Sequence, residues 1–333
     1  MMQPQDIFKF LHQSAFGCEH LVSSQDKAKD YIEREFSSAM GDNSSIEALD
    51  GNYCRVPLSY LSKGLKADTF AKLFVLSSKK EADGLDSLLR KIACARELVK
   101  EGTLPFSVEE FEKAIIEWAS KGYEALHHSE IFRQNYKPSY RVISKDYIPF
   151  LPLFCEIDKR LCKERLVIAI EGGSASGKST LGALIEKVYD CTVFHMDDFF
   201  LRKEQRTPER LKEIGGNIDH ERFLEEVLLP LGKGEEINYQ RFDCRTFSLC
   251  KGERIAPKNL VIVEGAYSMH PSLAEHYDFS VFLDVSPKTQ MERILVRNTP
   301  PLANRFFTEW IPLENIYFEK TDVKSRCGLV IGI

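Results

Sequence analysis

A chain of 333 residues that is 43% apolar has material for two buried cores, at ~100–200 residues per domain. Its formal net charge of −5 argues against nucleic acid as an obligatory partner, because phosphate-backbone binding takes concentrated positive charge. Nine cysteines without a C-x-x-C pair are poor material for a disulfide framework or a structural zinc site, and read as reduced thiols of a cytoplasmic protein.

The N-terminal MMQPQDIFKFLHQ lacks the apolar stretch of a signal peptide. No run approaches the ~18 apolar residues of a spanning helix, so no membrane partner is expected. Residues 1–150 read as a mostly helical domain of unknown role. The segments SQDKAKDYIEREFSSAM, DTFAKLFVLSS and LDSLLRKIACARELVKEG repeat apolar residues at helical steps. SVEEFEKAIIEWASKG opens with Ser107 three residues before Glu110, the pattern of a capping box, and closes on Gly122. Two polar clusters here carry groups able to hold a metal or small ligand. One is HHSEIFRQNYKPSYRV, with His127, His128, Glu130, Arg133, Tyr136, Tyr140 and Arg141; the other is GCEH, with Cys18 and His20. Their spacings match no metal motif, so packing and surface roles are expected. Pro138, Pro149 and Pro152 break the pattern and put a domain boundary near residue 150, where FLPLFCEIDKRLCKE reads as a bridging helix.

Residues 151–333 form the second domain. Short β-rich runs, LVIAI, CTVFHM, NLVIVEG, FSVFLDV and GLVIGI, alternate with helical segments. Continuous apolar strands separated by helices predict an α/β fold, a mostly parallel sheet covered by helices on both faces. Directly after the first run stands EGGSASGKST. Gly172, Gly173, Ser174, Ala175, Ser176, Gly177, Lys178 and Ser179 fit G-x-x-x-x-G-K-[ST], the Walker A phosphate loop, and Thr180 follows in the opening turn of the next helix. Glycines at both ends let successive N–H groups converge on one anion. The helix beginning near Lys178 aims its positive end at the same point. Lys178 would reach the outer phosphates and the Ser179 hydroxyl would ligate Mg²⁺. A glycine linker would not need that lysine.

The motifs after the loop come in a fixed order: FHMDDFF, GGNIDHERF, INYQRFDC, VIVEGAYSMHP and VFLDVSPKTQMERILVRN. Over residues 165–333 this series resembles the uridine kinase-like P-loop kinases, related to phosphoribulokinase. The resemblance implies ATP and Mg²⁺ as cofactors and a small-molecule phosphate acceptor. It implies Asp197 as the catalytic base, a role that suits a carboxylate at a strand's C-terminal end. Glu264, after NLVIV, would stand near the metal. Asp219 of NIDHERF would contact acceptor hydroxyls, although it is also well placed to cap the next helix. Arg293, Arg297 and Arg305 would belong to a mobile lid closing over the phosphates; the plain alternative is solvated helix charge.

One segment departs from the nucleoside kinases. Their aromatic-and-histidine base reader is replaced by Tyr239, Gln240, Arg241, Phe242, Asp243, Cys244 and Arg245, with no histidine. Tyr239 and Phe242 could stack on a ring or pack; Asp243 and Arg245 could contact a polar acceptor or pair with each other. The replacement predicts that uridine and cytidine are poor substrates. The leading reading is therefore a small-molecule kinase, and the alternative is a regulatory ATP-binding protein that signals through its helical half. A homo-oligomer is compatible with either.

Overall fold

The apolar stripes of the first half become helices α1 Pro4–Phe16, α2 Gln25–Ser38, α3 Ala67–Ser77, α4 Gly84–Lys100, α5 Val108–Ser120 and α6 Glu130–Tyr136, followed by α7 Leu151–Arg160. The structure, a computed structural model, describes residues 2–17, 24–38, 45–49, 52–78, 84–136, 139–162 and 164–333. Cys18, His20 and Pro138 lie outside the described residues. The chain divides into two compact units, Met1–Asp158 and Lys159–Ile333.

In the first unit, Phe8, Leu88, Ile92, Phe111, Ile115 and Trp118 share one core, and Phe8 stacks on Trp118 with ring centroids 4.7 Å apart. Ser107 caps α5 by accepting from the Glu110 N–H at 3.1 Å, and the helix ends just before Gly122, whose φ is +68°. Ser107→Ala should lower the unit's unfolding free energy by ~1 kcal/mol. A urea midpoint unchanged by this substitution would show that the cap is idle.

Helical periodicity does not reveal a three-stranded antiparallel sheet in this unit, in which β2 Tyr53–Pro57 is central between β1 Glu47–Ala48 and β3 Tyr140–Ser144. Tyr53 pairs with Ser144, far along the chain. The polar segment around His128 is used internally. Ser129 donates from N and Oγ to Asp6 at 2.8 Å each, and His128 Nδ1 lies 3.2 Å from Asp6 Oδ1. Burial and the nearby Lys9 charge push His128 down to about 4. Arg141 pairs with Glu35 at 2.7 Å.

The second unit contains β4 Leu166–Gly172, β5 Cys191–His195, β6 Ile237–Tyr239, β7 Phe242–Asp243, β8 Ser248–Leu249, β9 Glu253–Ile255, β10 Leu260–Glu264, β11 Phe279–Asp284 and β12 Leu329–Gly332. Five of them form one parallel sheet in the order β12-β11-β4-β10-β5. These are the five apolar runs of the sequence, and helices flank them. Every residue of β4 is buried, as a central strand covered on both faces requires. Phe194, Phe199, Phe223, Val227, Val261, Val263 and Tyr317 fill one side of the core. The strands β6 with β9 and β7 with β8 form two small antiparallel pairs. Two helical stretches carry a π turn, at Leu224–Leu228 and at Phe306–Trp310, the latter running directly into the helix Ile311–Thr321. Among the described residues no helix is long and apolar enough to cross a membrane.

Candidate active site

The sheet brings the C-terminal ends of β4, β10 and β5 side by side, with Glu264 opposite His195 in register. This is where an open α/β sheet binds its ligand. Out of β4 the chain turns through Gly172 (φ +150°), Ala175 (φ +58°) and Gly177 (φ +97°) before the helix Lys178–Val188 begins. A Cβ on Gly172 would lie 2.7 Å from the Leu283 carbonyl oxygen, so the tight exit needs glycine there. Lys178 Nζ donates to the carbonyls of Gly172 and Gly173, at 2.9 Å each. Ser179 and Thr180 stand exposed in the helix's first turn.

Asp197 lies in a short 3₁₀ turn, Met196–Phe199, directly after β5. Its side chain still reaches solvent. Loss of water from its surroundings pushes its carboxyl up; the Lys178 charge opposes the rise and Glu264 adds to it. Behind it, His195 Nδ1 donates to Glu264 Oε1 at 2.6 Å, and this bond raises the imidazole. Asp198 points away, accepting from the Tyr239 hydroxyl at 3.0 Å with Arg241 Nε at 3.5 Å.

Asp197, Glu264 and Ser179 offer only oxygen donors, and the like charges of Asp197 and Glu264 oppose each other. That set fits a hard divalent cation such as Mg²⁺. Among the described residues no three His, Cys, Asp or Glu side chains are grouped to hold a metal alone. A cation here would draw its remaining ligands from phosphate and water, as Mg²⁺ commonly does.

Of the arginines, Arg293 reaches the loop, donating from Nη1 to the Ala175 carbonyl at 3.1 Å. Arg297 and Arg305 are engaged elsewhere. Arg297 lies 6.0 Å from the Phe306 ring centroid, and Arg305 pairs with Glu309 at 3.0 Å over the Trp310 ring. Asp219 serves the capping role that competes with acceptor binding: it is buried, accepts from the Arg222 N–H at 3.2 Å and from Gln205 Nε2 at 2.8 Å. Tyr239 packs, stacking on Phe199 at 5.1 Å, and burial pushes its hydroxyl up to about 12. Phe242 is also buried, edge-on to Phe200 and Phe247. Asp243 and Arg245 pair with each other, the Arg245 N–H donating at 2.8 Å. The segment that would read a base is thus engaged in packing and mutual pairing.

Two acidic residues at the loop were not singled out from sequence. Glu171, the residue before Gly172, is fully buried. Its Oε1 accepts from the N–H of Gly172 at 2.8 Å and of Tyr267 at 3.2 Å. Its Oε2 accepts from the Met269 N–H and the Tyr317 hydroxyl, both at 3.0 Å. One carboxyl thereby ties the base of the loop to the segment after Glu264 and to the helix Ile311–Thr321. Glu314, on that same helix, accepts from Ser174. The available signal was a lone acid inside an apolar run, IAIEGG and WIPLENIYF.

Glu171→Gln should destabilise this unit, because the amide nitrogen would face donors now satisfied by oxygen. Each stranded buried donor costs ~1–3 kcal/mol. Burial lifts the folded carboxyl from 4.5 to about 7, so between these values the folded state holds a proton that the unfolded state has lost. Stability from this group is full below the lower value and is lost as pH rises through the upper one. Urea midpoints from pH 4 to 8 should therefore show a falling component that Glu171→Gln abolishes; parallel profiles would refute it.

The model of the Phosphoribulokinase / Uridine kinase family matches residues 167–301. Uridine kinase-like protein 4 of Arabidopsis thaliana is 26% identical over 146 residues, 41% of this chain and 31% of that protein. The chain therefore spans about a third of the length of this plant relative. A uridine kinase of Clostridium perfringens is 25% identical over 175 residues, 48% of this chain and 84% of that protein. A solved structure of a possible uridine kinase from Bacillus stearothermophilus, 21% identical, covers 51% of this chain and 89% of its own, with a TM-score of 0.40. The phosphate loop, the parallel sheet and the family match all fall in the second unit, whose residues 167–301 are similar to the uridine kinase-like P-loop kinases.

Proposed function

We propose that this domain transfers the γ-phosphate of ATP, with Mg²⁺, to a hydroxyl of a small metabolite such as a nucleoside or sugar. The observation that carries the proposal is the place of Asp197, directly after β5 at the C-terminal edge of the sheet, beside the end of β10 that carries Glu264 and within the field of Lys178. Such a group holds an acceptor hydroxyl, takes its proton and directs the oxygen at the γ-phosphorus. Lys178 supplies positive charge at the phosphates, and the first-turn N–H groups of its helix face the same anion. Arg293, already on the loop, is placed to neutralise charge that develops there. Ser179 and Glu264 would hold the metal, which when bound offsets charge on the transferring phosphoryl group. His195 orients Glu264 through their 2.6 Å bond.

The acceptor is open to a direct test. ADP release should be followed over nucleosides, free and phosphorylated sugars and pantothenate-like alcohols, with and without Mg²⁺. The expected result is saturable, Mg²⁺-dependent release with one class of alcohol, and weak release with uridine and cytidine. ATP binding without release above the acceptor-free rate for any compound would sink the kinase reading in favour of a regulatory nucleotide-binding protein.

A further inference from the structure

The phosphate loop already holds a carboxyl supplied by its own chain. Glu314 is 4% exposed. Its Oε2 accepts from the Ser174 N–H at 2.8 Å and its Oε1 from the Ser174 hydroxyl at 2.6 Å. The opposite side of the same peptide stretch is held as well: Gln290 Nε2 donates to the Ser174 carbonyl at 2.8 Å, and Arg293 to that of Ala175. Lys178 is meanwhile bonded back onto the loop's carbonyls. Two donors of the loop, the Ser174 N–H and hydroxyl, are therefore engaged by the Glu314 carboxyl.

A carboxylate and a phosphate are both anionic acceptors, and in a water-poor site they cannot share one pair of donors without strong repulsion. Burial raises the Glu314 carboxyl, the two Ser174 bonds and the Lys178 charge hold it down, and Asp197 raises it again. We propose that Glu314 is an internal stand-in for phosphate, bonded to the Ser174 donors and yielding them when a nucleotide's phosphate arrives. The proposal rests on the reading of the loop as a nucleotide site. In this role Glu314 lowers nucleotide affinity, because part of each binding event is spent displacing it, and it returns to Ser174 as product leaves.

The test compares wild type, Glu314→Gln and Glu314→Ala by calorimetry with ADP and with a non-hydrolysable ATP analogue, after circular dichroism shows which variants fold. Glutamine keeps the shape and loses the charge; alanine removes the contact altogether, so either folded variant is informative. Tighter binding of at least one nucleotide, by roughly fivefold or more, the low end of measured coupling between competing or linked sites, is expected. The nucleotide that gains shows which phosphate competes. A structural clamp would give the opposite sign, so unchanged or weaker binding of both nucleotides in a folded variant would overturn the proposal. If wild type and variants bind neither nucleotide, the nucleotide reading falls and the proposal with it.

Discussion

Replacing Asp197 by asparagine is expected to lower phosphoryl transfer by ~10²–10⁴-fold, the usual contribution of a positioned general base, and to leave ATP binding in place. The amide keeps the shape of the side chain and loses the lone pair that takes the proton. The substitution also removes a negative charge that sits near Glu264 and Asp198, so the fold is not weakened by it. Calorimetry with ATP and turnover on the acceptor found in the ADP-release screen separate the two effects. Loss of ATP binding alongside turnover would show that Asp197 serves chiefly the metal and its phosphates.

The second large effect is expected from Lys178→Ala. Lys178 Nζ donates to the loop carbonyls of Gly172 and Gly173, and Lys178 belongs to neither core described above. The melting temperature should therefore change little while turnover falls by at least ~10²–10³-fold, the scale of losing one preorganised charge-stabilising group. A further signature follows from electrostatics. Lys178 holds down the carboxyls of Asp197, Glu314 and Glu171, so its removal lets all three rise. A base with a raised pKa needs higher pH to work, and the residual activity of Lys178→Ala should have its acid limb displaced upward. Wild-type turnover in a folded variant would overturn the role assigned to the loop.

The second unit's architecture is legible in the sequence because a parallel sheet buried on both faces needs continuous apolar runs, and β4, β5, β10, β11 and β12 each supply one. The phosphate loop is legible for a related reason: its glycines and lysine have few other uses in that pattern. The sheet of the first unit is not, since β2 and β3 are short and meet only after the chain has run through α3, α4, α5 and α6. The site itself divides along similar lines. An aspartate before a helix looks the same whether it caps or binds, and Asp219 caps. An aromatic looks the same whether it stacks on a ligand or on a neighbour, and Tyr239 stacks on Phe199. Glu171 and Glu314 were hidden because their importance comes from contacts with donors distant in sequence, which no local pattern records.

The π turn at Phe306–Trp310 places a constraint on how this chain can change length. Glu314 and Tyr317 lie three residues apart on one helix, and both face the loop, one bonded to Ser174 and the other to Glu171. A π turn carries one residue more than an α turn over the same span, and each helical residue turns the face by ~100°. Deleting a single residue between Phe306 and Trp310 would therefore return an ordinary α turn over the same span and leave both side chains on the loop. Deleting one from the regular helix between Ile311 and Glu314 would instead swing them off together. A deletion of the second kind should release two acids' worth of contacts at once, so homologous chains that share the Ser174 and Glu171 contacts are expected to keep the spacing of the regular helix, whatever residues fill it.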